Sequence, residues 1–180
     1  AIDDKSRDES YAILKQFKNL DERIRVYRNK KRYGVSVCYN RAIKKARGQF
    51  ITFMNPYDKN ALNRLHRQVK FLSENQKVVA VGTQVMHIDG KDKRLEATNF
   101  PSDHESIYQN FLRGFTMQFE TVMLNRFLLP KDILKFQSNT YPYLYTEVFI
   151  KILQYGRFAN ISTALYYHRK YISEASMNLT

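Results

Sequence analysis

His168 and Arg169 stand next to each other in an aromatic, basic stretch near the end of the chain. An imidazolium ring and a guanidinium group both donate hydrogen bonds to phosphate oxygens, so this pair has the chemistry to contact a diphosphate. The alternative is a surface pair beside an aromatic strand. The two residues alone leave both interpretations open.

Basic residues are concentrated in one segment. The chain has 30 Lys and Arg against 17 Asp and Glu, a net charge of +13. Residues 23–77 contain 15 of the basic side chains and only 2 of the acidic ones, so this segment accounts for the whole imbalance. Such a face attracts polyanions: nucleotide phosphates, an anionic bilayer or nucleic acid. A solvated surface is the alternative, since runs of charge are usually solvated.

Cys38 is the only cysteine. It cannot form an internal disulfide or half of a Cys-based zinc site, which excludes a disulfide scaffold and a zinc ribbon. It lies on the apolar stripe of a predicted helix, which favours a small core residue over a nucleophile. With 43% hydrophobic residues, 6 Gly and 4 Pro, the composition is that of a folded globular domain. No apolar run approaches the roughly 18 to 20 residues of a membrane span.

Hydrophobic periodicity supplies the elements that must position these residues. Helices are predicted at 8–20, 35–47, 61–74, 104–115 and 144–155, and strands at 23–28, 50–54, 77–88 and 120–125. In the first half, strands and helices alternate, which is typical of a mostly parallel α/β sheet. A length of 180 residues suits a single domain.

Five motifs occur in order along the chain. They are Ile2 to Asp8; Gly34-Val35-Ser36 with Asn40, Ala42, Ala46, Gly48 and Ile51; Val81-Gly82-Thr83; Thr121-Val122-Met123 with Arg126; and Tyr167-His168-Arg169 with Ser173 and Ser176. This ordered set resembles the family 2 glycosyltransferases, which transfer a sugar from a nucleotide-diphosphate donor.

The resemblance implies a GT-A-like α/β fold with a mostly parallel, Rossmann-like sheet flanked by helices. It implies one glycosyltransferase-like domain over residues 1–180, with a nucleotide-binding half at about 1–88 and an acceptor-side half at about 89–180. The family also has a strand and a helix before the position of Asp3, and this sequence is expected to lack them.

The resemblance assigns the nucleotide site to Asp3, Asp4, Ser6 and Asn40, with the aspartates reading the base; Lys5 replaces the family's glycine. Asp3 and Asp4 could instead be polar groups that start a helix. His168 and Arg169 are assigned to the diphosphate or the acceptor. The implied donor is a UDP- or GDP-sugar, and the implied acceptor is a glycan or a lipid-linked molecule.

The metal motif is degraded. Family members bind Mg²⁺ or Mn²⁺ on an Asp-x-Asp pair, because a hard cation neutralises the diphosphate leaving group. On the pattern Phe-Leu-Asp-x-Asp-Asp, this chain has Asn55, Tyr57 and Asp58 at the three acidic positions. Asp58 and Asn55 are the remaining candidate ligands, and metal affinity is expected to be weak or absent. Asp58 could alternatively be a charge near the start of a helix.

The catalytic base is displaced as well. The family supplies it from a Glu-Asp pair opening the helix equivalent to residues 144–156, and this chain has Leu144-Tyr145 there. Glu147 is the only candidate base near that position, although residues i and i+2 point to different faces of a helix.

Three functions remain open, and the sequence does not decide whether the chain is an enzyme. The first is a glycosyltransferase acting on a nucleotide sugar. The second is a catalytically inactive transferase fold that serves as a binding or scaffolding module. The third is a basic surface for nucleic acid or an anionic membrane, with nucleic acid ranked last because no base-stacking motif accompanies the charge. The expected location is the cytoplasm, with peripheral docking at the inner face of a membrane as an extension.

Overall fold

A computed structural model describes residues 1–113, 116–137 and 144–170. Contacts divide the chain into two compact units, Ala1–Gly48 with Lys131–Lys151, and Gln49–Pro130 with Ile152–Thr180. The first unit is therefore completed by a segment that follows most of the second. The nucleotide-binding half at about 1–88 and the acceptor-side half at about 89–180 are divided by function, not by contacts. They therefore stay a prediction.

In the first unit, the residues that the structure describes form a short parallel strand pair and three α-helices. Strand β1 (Ile2–Asp3) pairs with β2 (Tyr27–Arg28). Helix α1 (Ser10–Leu20) connects them, α2 (Val35–Lys45) follows, and α5 (Leu144–Ile152) contributes its residues up to Lys151. Helix α2 begins after Gly34, whose φ of 88° lies in the region that favours glycine. The predicted positions of α1 and α2 are thereby confirmed.

The described residues of the second unit form a six-stranded sheet and two α-helices. Its strands are β3 (Phe50–Thr52), β4 (Lys59–Asn60), β5 (Val78–Ile88), β6 (Arg94–Ala97), β7 (Met123–Asn125) and β8 (Arg157–Arg169). The spatial order is β3-β7-β5-β8-β4, with β6 also paired to β5. Helices α3 (Arg64–Glu74) and α4 (His104–Asn110) belong to the same unit.

The expectation of a mostly parallel sheet is wrong for this unit. Among the described strands of this unit, only β5 and β8 pair in parallel; the β3–β7, β7–β5, β8–β4 and β5–β6 pairs are all antiparallel. Strands β3 and β5, joined through α3, run in the same direction, as a strand–helix–strand connection predicts. They are not neighbours, because β7 from later in the chain pairs between them.

Strand β5 is the buried centre of this sheet. Val79, Ala80, Val81 and Val85 are each 0% exposed, and Leu72 of α3 belongs to the same core. A continuous apolar run made this strand predictable. Its partner β8 was predicted only in part, as an aromatic, basic stretch over residues 166–171, of which 171 lies outside the described residues. Asn160, Ser162 and Thr163 interrupt the apolar pattern of the rest.

Several element boundaries differ from the prediction. Helix α4 ends at Asn110, and residues 119–121 form a 3₁₀ turn, so the strand expected from residue 120 begins at Met123. Strands β1, β4 and β6 are too short for their periodicity to be detected. Within the described ranges, no helix combines the length and the apolarity that crossing a bilayer requires.

Gly82, in the third sequence motif, lets the side chains of Asn160, Met117 and Thr121 pack close to the backbone of β5. A Cβ at this position would press on the Asn160 side chain, with Met117 Cγ and Thr121 Oγ1 each at 3.1 Å. The glycine therefore has a packing role in a strand whose neighbours are buried on both sides.

We expect Gly82→Ala to lower the free energy of unfolding by about 1 to 3 kcal/mol, because the added methyl group overpacks the core. Gly90→Ala is the matched control, since nothing lies within 4 Å of a Cβ built there. Urea unfolding of both variants tests the prediction. Equal stability of the two variants would contradict it.

Candidate functional site

The turn after β1 holds three of the predicted nucleotide-binding residues together. Asp3 is 3% exposed, its Oδ1 accepts a hydrogen bond from the Ser6 backbone N–H (3.2 Å), and its Oδ2 lies 3.0 Å from Arg28 Nε. Arg28 also donates to the Ser6 carbonyl (3.0 Å) and lies 4.3 Å from the ring centre of Tyr11. The Arg28 guanidinium thus contacts both ends of the turn, the Asp3 carboxylate and the Ser6 carbonyl.

Lys5 sits inside that turn with a φ of 60°. This is the left-handed region, which glycine enters without steric cost and other residues enter at a cost of roughly 1 kcal/mol or more. Lys5, which stands where the resemblance expects a glycine, therefore adopts a backbone conformation that suits glycine better.

Asp4 connects the same turn to the start of α2. Its carboxylate accepts hydrogen bonds from the Tyr33 N–H (3.0 Å), the Gly34 N–H (2.8 Å) and the Asn29 side chain (2.6 Å). Burial alone raises the pKa of Asp4, but these hydrogen bonds outweigh it and lower the pKa overall. Asp4 is therefore a structural connector whatever ligand the turn binds.

Cys38 lies behind this connection on α2. Asn29 Nδ2 is 3.5 Å from its Sγ. Burial, and then the negative charge of Asp4, raise the pKa of the Cys38 thiol to about 11. The thiol is consequently protonated at neutral pH, as expected of a packing residue rather than a nucleophile.

Asn40 lies further along α2 and bonds to the returning segment of the unit. Its Nδ2 donates to the Phe136 carbonyl (2.8 Å), and its Oδ1 accepts from the Phe136 N–H (2.9 Å). Both ends of the amide are thus engaged with the backbone. Its assignment to the nucleotide stays a prediction.

Glu147, the candidate base, lies on α5. It forms an i,i+4 ion pair with Lys151, and its side chain is 22% exposed. Tyr145, at the position of the family's acidic pair, has its hydroxyl 3.4 Å from that of Tyr39 on α2. A hydroxyl contact therefore occupies the place where the resemblance expects a carboxylate.

In the second unit, Asp58 brings three predicted site residues together. Its Oδ2 accepts from the Tyr166 hydroxyl (2.8 Å) and lies 3.1 Å from His168 Nδ1, while its Oδ1 accepts from the Arg169 N–H (2.9 Å). The Asp58 side chain is only 1% exposed. The carboxylate thereby fastens the loop 55–58 to the end of β8.

Arg169 also connects the end of β8 to a second loop, which contains Asp89 and Asp92. Its guanidinium donates to the carbonyls of Tyr57 (3.2 Å) and Asp89 (2.9 Å) and pairs with Asp92 at 2.6 Å. The His168 side chain is 32% exposed, and its ring lies edge-on to that of His87, with 5.6 Å between the centroids. Of the predicted diphosphate pair, His168 is the more open to a ligand.

These residues do not fit a divalent cation in the observed arrangement. Three donors surround the buried carboxylate of Asp58, and the side-chain oxygen of Asn55 accepts from the Tyr57 N–H (3.1 Å). Within the part of the chain that the structure describes, no group of three or more His, Cys, Asp or Glu side chains could hold a metal ion. Mg²⁺ and Mn²⁺ need several oxygens free to coordinate.

Arg64 supports this region and was not predicted from the sequence. It is 0% exposed, and its guanidinium donates to Thr52 Oγ1 (2.8 Å) and to the Glu120 carbonyl (2.8 Å). It also lies 5.0 Å from the ring centre of Tyr166, which holds Asp58. Burial lowers its pKa to about 10. Arginine in a predicted helix is normally a surface residue, so no sequence signal marked it.

Part of the basic segment 23–77 thus has internal partners. Arg28 and Arg64 are engaged as described, and Arg41 donates to the Asn29 side chain. These three cations belong to the folded network, so the surface charge available to a polyanion is smaller than the sequence count suggests.

The raised pKa of Cys38 predicts slow alkylation. At pH 8 the thiolate fraction should be about a hundredfold below that of an ordinary thiol, because the pKa lies about two units higher. Asp4→Asn removes a neighbouring negative charge, so its pH–rate profile with iodoacetamide should shift to lower pH. Asp8→Asn serves as the control from the same segment. Identical profiles for all three proteins would contradict the Asp4–Cys38 coupling.

The hydrogen bonds to Asp58 predict a large stability cost on removing its charge. Asp58→Asn should lower the free energy of unfolding by about 2 kcal/mol or more, because the NH2 group that replaces one carboxylate oxygen cannot accept a hydrogen bond from the donor that faces it. Asp92→Asn is the control, since that carboxylate is 48% exposed and exposed ion pairs contribute little. Urea midpoints of both variants provide the measurement, and a larger effect at Asp92 would refute the role given to Asp58.

Comparison with solved structures identifies the fold. The chain is similar to S. aureus TarS, residues 1–349 in complex with UDP-GlcNAc, with a TM-score of 0.75 and 19% identity over 99% of this chain and 51% of that one. It is also similar to the mannosyltransferase PcManGT from Pyrobaculum calidifontis in complex with GDP-Man and Mn²⁺, with a TM-score of 0.64 and 14% identity over 96% and 47% of the two chains. The α/β GT-A-like fold is thereby confirmed, with a mixed sheet.

Curated relatives agree with this. A Bacillus subtilis protein named as a glycosyltransferase of teichuronic acid biosynthesis is 31% identical over 129 residues, and an uncharacterized glycosyltransferase of Haemophilus influenzae is 28% identical over 126 residues. Each alignment covers 69% of this chain and 49% of the relative, so the chain spans about half the length of these relatives. The model of glycosyl transferase family 2 matches residues 1–133. The chain, a glycosyltransferase-like domain, belongs to glycosyl transferase family 2.

Proposed function

We propose that this chain binds a nucleotide-diphosphate sugar as part of a family 2 glycosyltransferase whose acceptor is a glycan or a lipid-linked molecule. The observation that carries the proposal is the turn from Asp3 to Ser6, held by Arg28 and joined through Asp4 to Gly34, the residue before α2. This turn belongs to the part of the chain that the family model covers.

The proposed donor is a UDP- or GDP-sugar, the two types bound in the similar structures. Asp3, Asp4 and Ser6 would hold the base. His168 would face the diphosphate with its exposed edge, while Arg169 keeps that part of β8 attached to the loops. Glu147, paired with Lys151, would accept the proton of the acceptor hydroxyl.

A second function is favoured by one observation, the poor fit of the loop 55–58 to a divalent cation. Asp58 is held by three hydrogen-bond donors, and Tyr57 stands where the family has a carboxylate. The alternative is therefore a transferase fold that binds its ligand or a partner without turnover.

Calorimetric titration with UDP and GDP, each with and without Mn²⁺, tests the proposal. We expect saturable binding of one nucleotide whose affinity changes less than twofold with Mn²⁺, because Asp58 offers no open coordination position. Asp3→Asn should weaken that binding at least tenfold, with Asp8→Asn as the matched control. Absence of binding to both nucleotides would remove the donor role.

Donor-sugar hydrolysis then separates the two functions. Turnover by the unmodified chain supports the enzyme, and its loss in Glu147→Gln supports the assigned base. The pair Asn55→Asp with Tyr57→Asp should introduce metal dependence of binding. Binding without turnover, in the unmodified chain and in this pair alike, would favour the inactive module.

A further inference from the structure

Asp58 and His168 form a carboxylate–imidazole pair at the end of β8. The Asp58 side chain is 1% exposed, and its Oδ2 lies 3.1 Å from His168 Nδ1. Because an ionised carboxylate only accepts hydrogen bonds, Nδ1 carries the hydrogen that points to Asp58. The opposite ring nitrogen, Nε2, has no hydrogen bond to any of the described residues, and the His168 side chain is 32% exposed. Asp58 therefore fixes the orientation of the ring, and Nε2 forms its open edge.

A divalent cation and this pair compete for the same carboxylate oxygens. Oδ2 of Asp58 faces the Tyr166 hydroxyl and His168 Nδ1, and its Oδ1 faces the Arg169 N–H. A metal ion would have to take one of these oxygens away from its hydrogen-bond donor. Coordination would therefore break contacts that attach the loop 55–58 to β8.

Arg64 supplies positive charge on the buried side of the same carboxylate. Its guanidinium is 0% exposed, donates to neutral oxygens and lies 5.0 Å from the ring centre of Tyr166. The Tyr166 hydroxyl in turn donates to Asp58 (2.8 Å). Asp58 is thus stabilised by Arg64 and Tyr166 on its buried side and by His168 on its exposed side. A carboxylate surrounded in this way needs no metal ion as a counter-charge.

Other basic side chains at this end of β8 are held by acidic partners. Arg169 pairs with Asp92 at 2.6 Å. Lys170 pairs with Glu96 at the same distance. His168 uses only one of its two ring nitrogens for Asp58, so the other can bind an anion without breaking an existing contact.

We propose that His168, oriented by Asp58, takes the place of the family's divalent cation at the donor diphosphate. The assignment rests on the proposed function, since it names the group that meets the diphosphate of the bound nucleotide. The imidazolium ring presents Nε2–H and a positive charge to a phosphate oxygen, while Nδ1–H stays on Asp58. His168 is the residue that touches the ligand, and Asp58 is a positioning residue. The chain consequently binds the diphosphate without a metal ion.

NMR titration with UDP and uridine, and with GDP and guanosine, isolates the diphosphate, because each pair shares its base and ribose. For one pair we expect the diphosphate to bind at least about tenfold more tightly than its nucleoside, with and without Mg²⁺ alike. His168→Gln and Asp58→Asn should each lower that ratio by roughly fivefold or more and leave the nucleoside affinity unchanged. A general loss of structure would lower both affinities. His66→Gln is the matched control, since His66 is an exposed histidine of α3 in the same unit.

A second set of variants tests the exchange between histidine and metal. Adding Asn55→Asp and Tyr57→Asp to His168→Gln supplies carboxylates for a cation. The ratio of UDP to uridine affinity, or of GDP to guanosine affinity, should then return to within about threefold of the unmodified chain in the presence of Mg²⁺ and stay low in its absence. No recovery with Mg²⁺ would contradict the exchange, because the missing group would not be a positive charge.

The outcomes keep this inference separate from the proposed function. Nucleotide binding that His168→Gln leaves unchanged overturns the role of the histidine and leaves the donor role intact. Nucleotide binding by the unmodified chain that Mg²⁺ strengthens about tenfold or more also overturns it, because a cation would then meet the diphosphate. Absence of binding to both UDP and GDP removes the donor role and this assignment together.

Discussion

The parallel pairing of β5 with β8 is the constraint on which the second unit depends. β5 is buried along almost its whole length, so β8 must follow it from Val78 opposite Arg157 to Ile88 opposite Arg169. That alignment places His168 opposite His87 and Arg169 opposite Ile88 at the end of the ladder. The attachment of the loop 55–58 therefore depends on this pairing, whose register shifts between Thr83 and Val85.

At the end of that ladder, side chains of the types that often act in catalysis, such as Asp58 and His168, form hydrogen bonds that hold the structure together. Asp58 lies at the third acidic position of the family's metal motif, yet its oxygens are directed at Tyr166, His168 and the Arg169 backbone. Behind it, Arg64 is buried with neutral oxygen acceptors, an arrangement that is costly to desolvate unless every donor is satisfied. A loop held this firmly can keep its shape without a metal ion, which explains how the chain tolerates Asn55 and Tyr57.

The sequence predicted those parts of the fold that depend on local periodicity. α1, α2 and β5 have clear apolar patterns and were placed within a few residues, and the ordered motifs identified the family. The position of β7 between β3 and β5 depends on contacts between distant segments, which periodicity does not encode. At the site, Asp58 and His168 were selected from their positions in the family's motifs, but their mutual hydrogen bond and the buried Arg64 follow only from the packed structure.

The hydrogen bonds between Asn40 and Phe136 have a consequence for the order of assembly during translation. Residues 1–48 leave the ribosome well before their closing segment, since the greater part of the sheet-bearing unit is made in between. A contact of this sequence separation closes a long loop and forms late. In a nascent chain that stalls within the second unit, the face of α2 that later contacts Phe136 would therefore still be exposed. A chaperone could bind α2 at that stage.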